Sequence, residues 1–244
     1  MRPYDGEAPL DIPEPIAEDV FIVNSVMQRP FGLALPVRMT ILRLPGGDLL
    51  LHSPTRLAPG LRDAIEGLGR VRHLVAPNSV HWLFLRQWQQ VYLEAETWAA
   101  PGLRQRRQVR RSGVRLDHDL SETTPSGWEG LQLVVVPGAM GFREVALFHT
   151  PSRTLVLTDL VLDLPMGQAP MLLRPVARML GVVGSDGKPP VYVRWIIRRR
   201  KDEAVQAVER LLALGPERVV FAHGSWFRRD APAALRHALR WLLR

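Results

Sequence analysis

The chain contains no cysteine, which excludes disulfides, thiolate metal sites and cysteine nucleophiles. Any metal must therefore be held by His, Asp, Glu or Asn, a donor set that suits a catalytic centre better than a structural one. Lysine is nearly absent too: Lys188 and Lys201 are the only lysines among 32 basic residues, so arginine carries the net charge of +8. A basic surface favours anionic ligands or nucleic acid through long-range attraction. No apolar run approaches the ~20 residues that a membrane span needs. The opening segment MRPYDGEAPLDIPEPIAEDV is acidic and proline-rich, without the apolar centre of a secretory signal. Together these absences predict a cytoplasmic protein.

What is present reads as an ordinary folded chain: 244 residues, 46% hydrophobic and 23% charged. That length supports one large core, and no Ser/Gly-rich linker divides it. The expectation is a single domain over residues 1–244, with 1–19 as an N-terminal tail.

VFIVNS (20–25) and RMTILRL (38–44) carry strand patterns, and PGGD (45–48) supplies turn chemistry before LLLHS (49–53), which predicts a hairpin. APGLRDAIEGLG (58–69) places Leu61, Ile65 and Leu68 at helical spacing and ends on glycine. RHLVAP (72–77) is a short buried strand, and a helix is expected from near His81. PGLRQRRQVRRSG (101–113) reads as a basic helix. The strands resume with LQLVVV (131–136), EVALFH (144–149) and TLVLTD (154–159), the last two joined by a tight turn at TPSR (150–153). Residues 165–200 are rich in proline and glycine and resist assignment, although MLLRPVARMLG (171–181) fits a kinked helix. KDEAVQAVERLLALG (201–215) is the clearest amphipathic helix, RVVFAHG (218–224) a final strand and APAALRHALRWLLR (231–244) a final helix. Strands interleaved with helices in this order predict an α/β (α+β) fold, a sheet structure covered by helices.

Three polar residues share one context. His81, Asp159 and His223 each lie at or just beyond the end of an apolar run, in VAPNSVH, LVLTD and VVFAH. Strand ends are where loops gather side chains into a site, and two histidines with a carboxylate make a plausible zinc or iron set. Each residue also has a plainer reading: a histidine hydrogen-bonded at a core edge, or an aspartate capping a helix.

The order GGDLLLHSPTRLAPGLRDAIEGLGRVRHLVAPNSVHW, then VVPGAMGFREVALFHTPSRTLVLTDLV, then RVVFAHG resembles the metallo-β-lactamase superfamily over residues 20–225, and more narrowly a divergent branch in which an Asn and a His after a Pro replace the usual histidine cluster. The resemblance implies an αββα sandwich of the metallo-β-lactamase type with its site at one edge between two sheets. It also implies heavy ligand losses. The signature H-x-H-x-D-H falls on Pro77, Ser79, His81 and Trp82, so its first two histidines are missing, His81 stands in place of its aspartate and Trp82 in place of its last histidine. The next ligand histidine falls on Ala139. The bridging acid is kept as Asp159 and the final histidine as His223, while the aspartate near the third strand falls on His52. One metal position has lost its own histidines. The other survives as His81, Asp159 and His223, with room for one zinc, iron or manganese ion or for none.

Hairpin geometry ranks two further candidates. With TPSR as the turn, His149 lies opposite Thr154, Leu147 opposite Val156, and Glu144 opposite Asp159. At about 3.4 Å per residue His149 is then roughly 17 Å from the Asp159 end, and it reads as a turn-facing residue. Glu144 comes close, as an added ligand, a general base or a partner holding a histidine. Asn78 and Ser79 are pocket candidates that could instead hydrogen-bond the strand end.

The arginine-rich RQRRQVRR (104–111) and RWIIRRRK (194–201), with Trp195 beside them, could meet phosphates or bases, though solvated helix faces explain them as well. Tryptophans 82, 88, 98 and 128 fit core or pocket walls. The leading expectation is a hydrolase-like protein that binds at most one metal and acts on an ester, lactone, amide or phosphoester. The alternative is a metal-free binding protein in which Trp82 fills the vacated site. Nucleic-acid binding through the arginine-rich stretches is the weaker third.

Overall fold

The computed structural model describes residues 9–28, 34–164 and 186–244. Eleven strands among them form two sheets. The first contains β1 (Pro13–Ala17), β2 (Val20–Gln28), β3 (Ala34–Arg43), β4 (Asp48–His52), β5 (Arg70–Ala76), β6 (Glu96–Ala99) and β7 (His118–Asp119), in that spatial order. It is antiparallel from β1 to β4 and parallel from β4 to β7. The second contains β8 (Leu131–Pro137), β9 (Arg143–His149), β10 (Thr154–Val156) and β11 (Arg218–Val220), ordered β11-β10-β9-β8. Within it β10 and β11 are parallel and the other pairs antiparallel, so those two strands point their C-terminal ends the same way.

Three buried clusters show how the layers stack. One lies between the sheets and includes Leu42, Leu50, Val75, Trp128, Leu147 and Val156. A second packs the outer face of the first sheet against α1 (Leu61–Glu66), α2 (Leu85–Val91) and α3 (Arg107–Ser112). The third packs the second sheet against α4 (Val191–Arg198), α5 (Lys201–Ala213) and α6 (Ala231–Leu243). Helix, sheet, sheet, helix is the expected αββα sandwich. In β4 the alternation is visible residue by residue, since Leu49 and Leu51 face the helices while Leu50 faces the other sheet. The predicted hairpins form as well: β3 pairs with β4, and β9 with β10 in the register His149 to Thr154 and Leu147 to Val156.

Several boundaries differ from expectation for physical reasons. Residues 13–17, expected within a tail, add β1 at the sheet edge, where Pro13 and Pro15 are tolerated because an edge strand needs only half its ladder bonds. The helix expected from His81 begins at Leu85. The Asn78 side-chain oxygen accepts from the backbone N–H groups of Val80 and His81, and this local turn displaces the first helical turn. The basic helix over 101–113 contracts to α3, because Gly102 turns the chain at φ 88°. β10 stops at Val156, three residues short of Asp159. Glu144 takes the N–H groups of Thr158, Asp159 and Leu160, so the strand ladder has no donors left there. The helix expected over 171–181 lies outside the described residues. No described helix is long and apolar enough to cross a membrane.

Candidate functional site

Neighbouring strand ends deliver the site. β5 runs into the turn that carries His81, while the parallel strands β10 and β11 run into the loops carrying Asp159 and His223. The two sheets are tied at this point by the Val145 N–H, which donates to the Pro77 carbonyl at 2.8 Å. Gly224 makes the His223 loop possible. It sits at φ 88°, and a Cβ there would lie 1.8 Å from the carbonyl oxygen of Asp163, so only glycine fits.

His81 Nε2 lies 3.4 Å from both Asp159 oxygens, and His223 Nε2 lies 3.3 Å from Asp159 Oδ1. All three donor atoms fall within 4.8 Å of one another. Ligands about 2.0–2.1 Å from a tetrahedrally held zinc sit ~3.3–3.4 Å apart, so the two short edges match those of a metal site. They are long for charge-assisted hydrogen bonds, which close to about 2.7–2.9 Å.

The outward ring nitrogens are held. His223 Nδ1 donates to the Pro36 carbonyl at 2.8 Å, which turns Nε2 toward the Asp159 carboxylate. His81 Nδ1 pairs with Ser53 Oγ at 2.6 Å, the arrangement by which an outer partner fixes a ligand imidazole. Buried Arg38 donates to the Phe221 carbonyl at 2.8 Å and to Asn24 Oδ1 at 2.8 Å, anchoring the segment that leads to His223.

Two carboxylates meet here with opposite fates. Burial pushes the Asp159 carboxyl up, but the His81 and His223 imidazoles more than offset this and hold it well below the usual carboxylate range. Asn78 Nδ2 adds a 2.7 Å hydrogen bond to Asp159 Oδ2. Glu144 is raised, by burial first and then by the neighbouring charge of Asp159, against three backbone N–H bonds of 2.7–3.0 Å that favour its ionised form. It is fully buried and does not line the cavity.

The structure therefore brings His81, Asp159 and His223 together and places the other candidates elsewhere. Glu144, expected as a general base, has its oxygens committed to the loop that carries Asp159. Asn78 is buried behind the site, where it also donates to Thr158 Oγ1 at 3.1 Å. Ser79 accepts the Trp82 indole N–H on its carbonyl. Trp82, expected to plug the vacated position, packs among the helices on the outer face of the first sheet. Ala139 hydrogen-bonds through its backbone N–H to the Ile196 carbonyl of α4 and does not line the cavity. His52 is buried between the sheets, and burial with the charge of nearby His81 pushes it down to about 3. His149 meets Ser152 at the turn, as the hairpin register requires. Ser53 meets His81 at the site and is not singled out by the sequence pattern, although it directly follows the end of β4. Its φ of 57° is unusual for a residue other than glycine.

Some of the arginines in the arginine-rich stretches are tied into the fold. Arg104 bridges to Asp119 and to the Leu116 carbonyl, Arg198 donates to the Trp241 carbonyl, Arg200 pairs with Glu203, and Arg199 stacks over Trp195.

No family model matches the chain, and no curated protein sequence does. Solved structures do match. A metallo-β-lactamase from Pontibacter korlensis aligns at 16% identity and TM-score 0.58, over 95% of this chain and 98% of its own. The metallo-β-lactamase FIM-1 from Pseudomonas aeruginosa, in its mono-zinc form, aligns at 17% and 0.60, over 95% and 96%. A metal-soaked Flv1 flavodiiron core from Synechocystis aligns at 11% and 0.63, over 96% of this chain and 62% of that one. At these identities the likeness is one of fold: the chain has the metallo-β-lactamase fold.

Proposed function

We propose that the protein is a hydrolase-like metalloprotein that holds a single divalent ion, zinc, iron or manganese, on His81, Asp159 and His223. The observation that carries this reading is the spacing of the three groups, whose donor atoms lie within 4.8 Å of one another with His–Asp edges of 3.3–3.4 Å, those of ligands around a tetrahedrally held ion. When bound, such an ion supplies Lewis acidity toward a carbonyl or phosphoryl oxygen and toward water.

The chain's own groups do the rest. Asp159, kept ionised, is the group positioned to accept a proton from a water entering the cavity. Ser53 and Pro36 fix the two imidazole planes, and Asn78 fixes the carboxylate. The Asp159 loop is itself held by Glu144, a positioning residue. The two-metal arrangement is disfavoured because Pro77, Ser79, Trp82 and Ala139 offer no side-chain donor at the cavity. Candidate reactions are hydrolysis of an ester, lactone, amide or phosphoester.

Metal analysis of protein purified without chelator tests the proposal. One equivalent of metal is expected in the wild type and almost none in His81→Ala or Asp159→Ala. A metal-free wild type that stays inactive after zinc, iron and manganese are added would overturn it in favour of a metal-free binding protein.

A further inference from the structure

Apolar side chains scattered singly over a surface need no explanation, but a contiguous group of them marks a contact site. Five of the nine large apolar residues exposed among the described residues fall on two segments. Val191, Tyr192 and Trp195 lie on α4, and Val80 and Leu83 on the turn before α2; all are between 43% and 63% exposed. Val80, Leu83 and Tyr192 border the same cavity, the one that opens on His81, Asp159 and His223, so the two segments flank one mouth.

The helix α4 is two-sided. Val193 and Ile197 pack beneath it into the cluster on the second sheet. The outer face takes positions 191, 192, 195, 198 and 199, the spacing of one helical stripe. That stripe begins apolar and aromatic and ends basic, with Val191, Tyr192 and Trp195 followed by exposed Arg198 and Arg199. The Arg199 guanidinium lies 4.4 Å from the Trp195 ring centroid, so charge and ring form one unit.

We infer that this face docks on a membrane surface of anionic lipid, with the cavity mouth turned toward the bilayer. Aliphatic and aromatic side chains enter the boundary between headgroups and acyl chains, where Trp and Tyr are favoured. The arginines meet the anionic headgroups, and the net charge of +8 adds long-range attraction to the same surface. A nucleic acid would use Trp195 and the arginines but would leave Val80, Leu83 and Val191 in water. Pairing the stripe with a second copy of itself would bury Arg198 and Arg199 with no carboxylate on the stripe to meet them. The docking does not depend on an ion at the site.

Because the chain has no cysteine, Leu83→Cys and Val191→Cys each accept a single polarity-sensitive dye. Leu93→Cys is the control, since Leu93 is exposed just before β6, at the opposite end of the first sheet from the mouth. The full chain is mixed with phosphatidylcholine vesicles prepared with and without phosphatidylglycerol. Blue-shifted emission from positions 83 and 191, but not 93, is expected with the anionic vesicles, and sedimentation should show binding that weakens as salt is added. Arg199→Gln is expected to lower affinity for anionic vesicles about fivefold, and Trp195→Ala to lower it further, with the melting temperature retained in both. No sedimentation with anionic vesicles, equal binding to both vesicle types, or an equal shift at position 93 would each overturn the inference. So would shifts at 83 and 191 produced by an oligonucleotide or by self-association in place of vesicles.

Discussion

Asp159 and Glu144 sit on opposite sides of one loop and show what separates an open edge from a sealed one. On the cavity side, Asp159 faces two imidazoles at distances suited to a shared ion, and the walls are open enough to admit a ligand. Behind it, Glu144 and Asn78 satisfy backbone and side-chain groups with ordinary hydrogen bonds and see no solvent. Both carboxylates feel strong desolvation, so burial alone does not decide their roles. Partner type does: imidazoles with Nε2 turned inward make a binding edge, whereas backbone N–H groups make a brace.

The comparison breaks most visibly at the brace. Glu144→Ala strands three buried backbone N–H groups and should cost several kcal/mol, about 3–5. Gly224→Ala, which forces a Cβ onto the Asp163 carbonyl, is expected to be at least as severe. Both are read by denaturant unfolding or by failure to accumulate soluble protein. If Glu144→Ala retained wild-type stability, Glu144 would not be a brace.

Asp159→Asn acts on the other side. It should abolish metal retention while the fold persists, because the new carboxamide oxygen can still accept the hydrogen bond from Asn78; metal content and melting temperature measured together check this. Ser53→Ala is expected to weaken metal affinity by ~10- to 100-fold, as loss of an outer partner to a ligand histidine does. Competition with a chelator of known affinity measures it, and an unchanged affinity would show that Ser53 does not fix His81.

The smallest effect concerns pH. His52 has its folded value pushed down to about 3 from an ordinary 6.5. Between those values the unfolded chain binds a proton that the folded chain refuses, so stability is lost as pH falls below 6.5, by at most about 1.4 kcal/mol per pH unit. His52→Phe should make the stability profile less steep between pH 6.5 and 5, where the ordinary carboxylates contribute little and the smaller contributions of half-buried His73 and buried His149 remain. A parallel profile in wild type and variant would show that His52 plays no part.

His81, Asp159 and His223 are legible in the sequence as candidate ligands because each follows an apolar strand, and a polar residue beyond a strand at a sheet edge leaves few places for the side chain to go. The β9–β10 register is legible from the turn alone, and it correctly carries His149 away from the site. Trp82 departs from expectation because sequence position stands in for space only where the local backbone is regular. The Asn78 turn rotates that segment, so residues one apart at 81 and 82 point to opposite sides of the first sheet. Ser53 is hidden in the sequence because serine after a strand is common, and only its 2.6 Å contact with His81 distinguishes it.

The sequence by itself determined the layered α/β class, most strand positions and the identity of the potential ligands, since periodicity and turn chemistry act locally. Tertiary structure alone decided which carboxylate faces the cavity and which imidazole nitrogens turn toward it. Those outcomes depend on hydrogen bonds and packing between residues that lie 28 to 187 positions apart in the chain, and no local pattern encodes them.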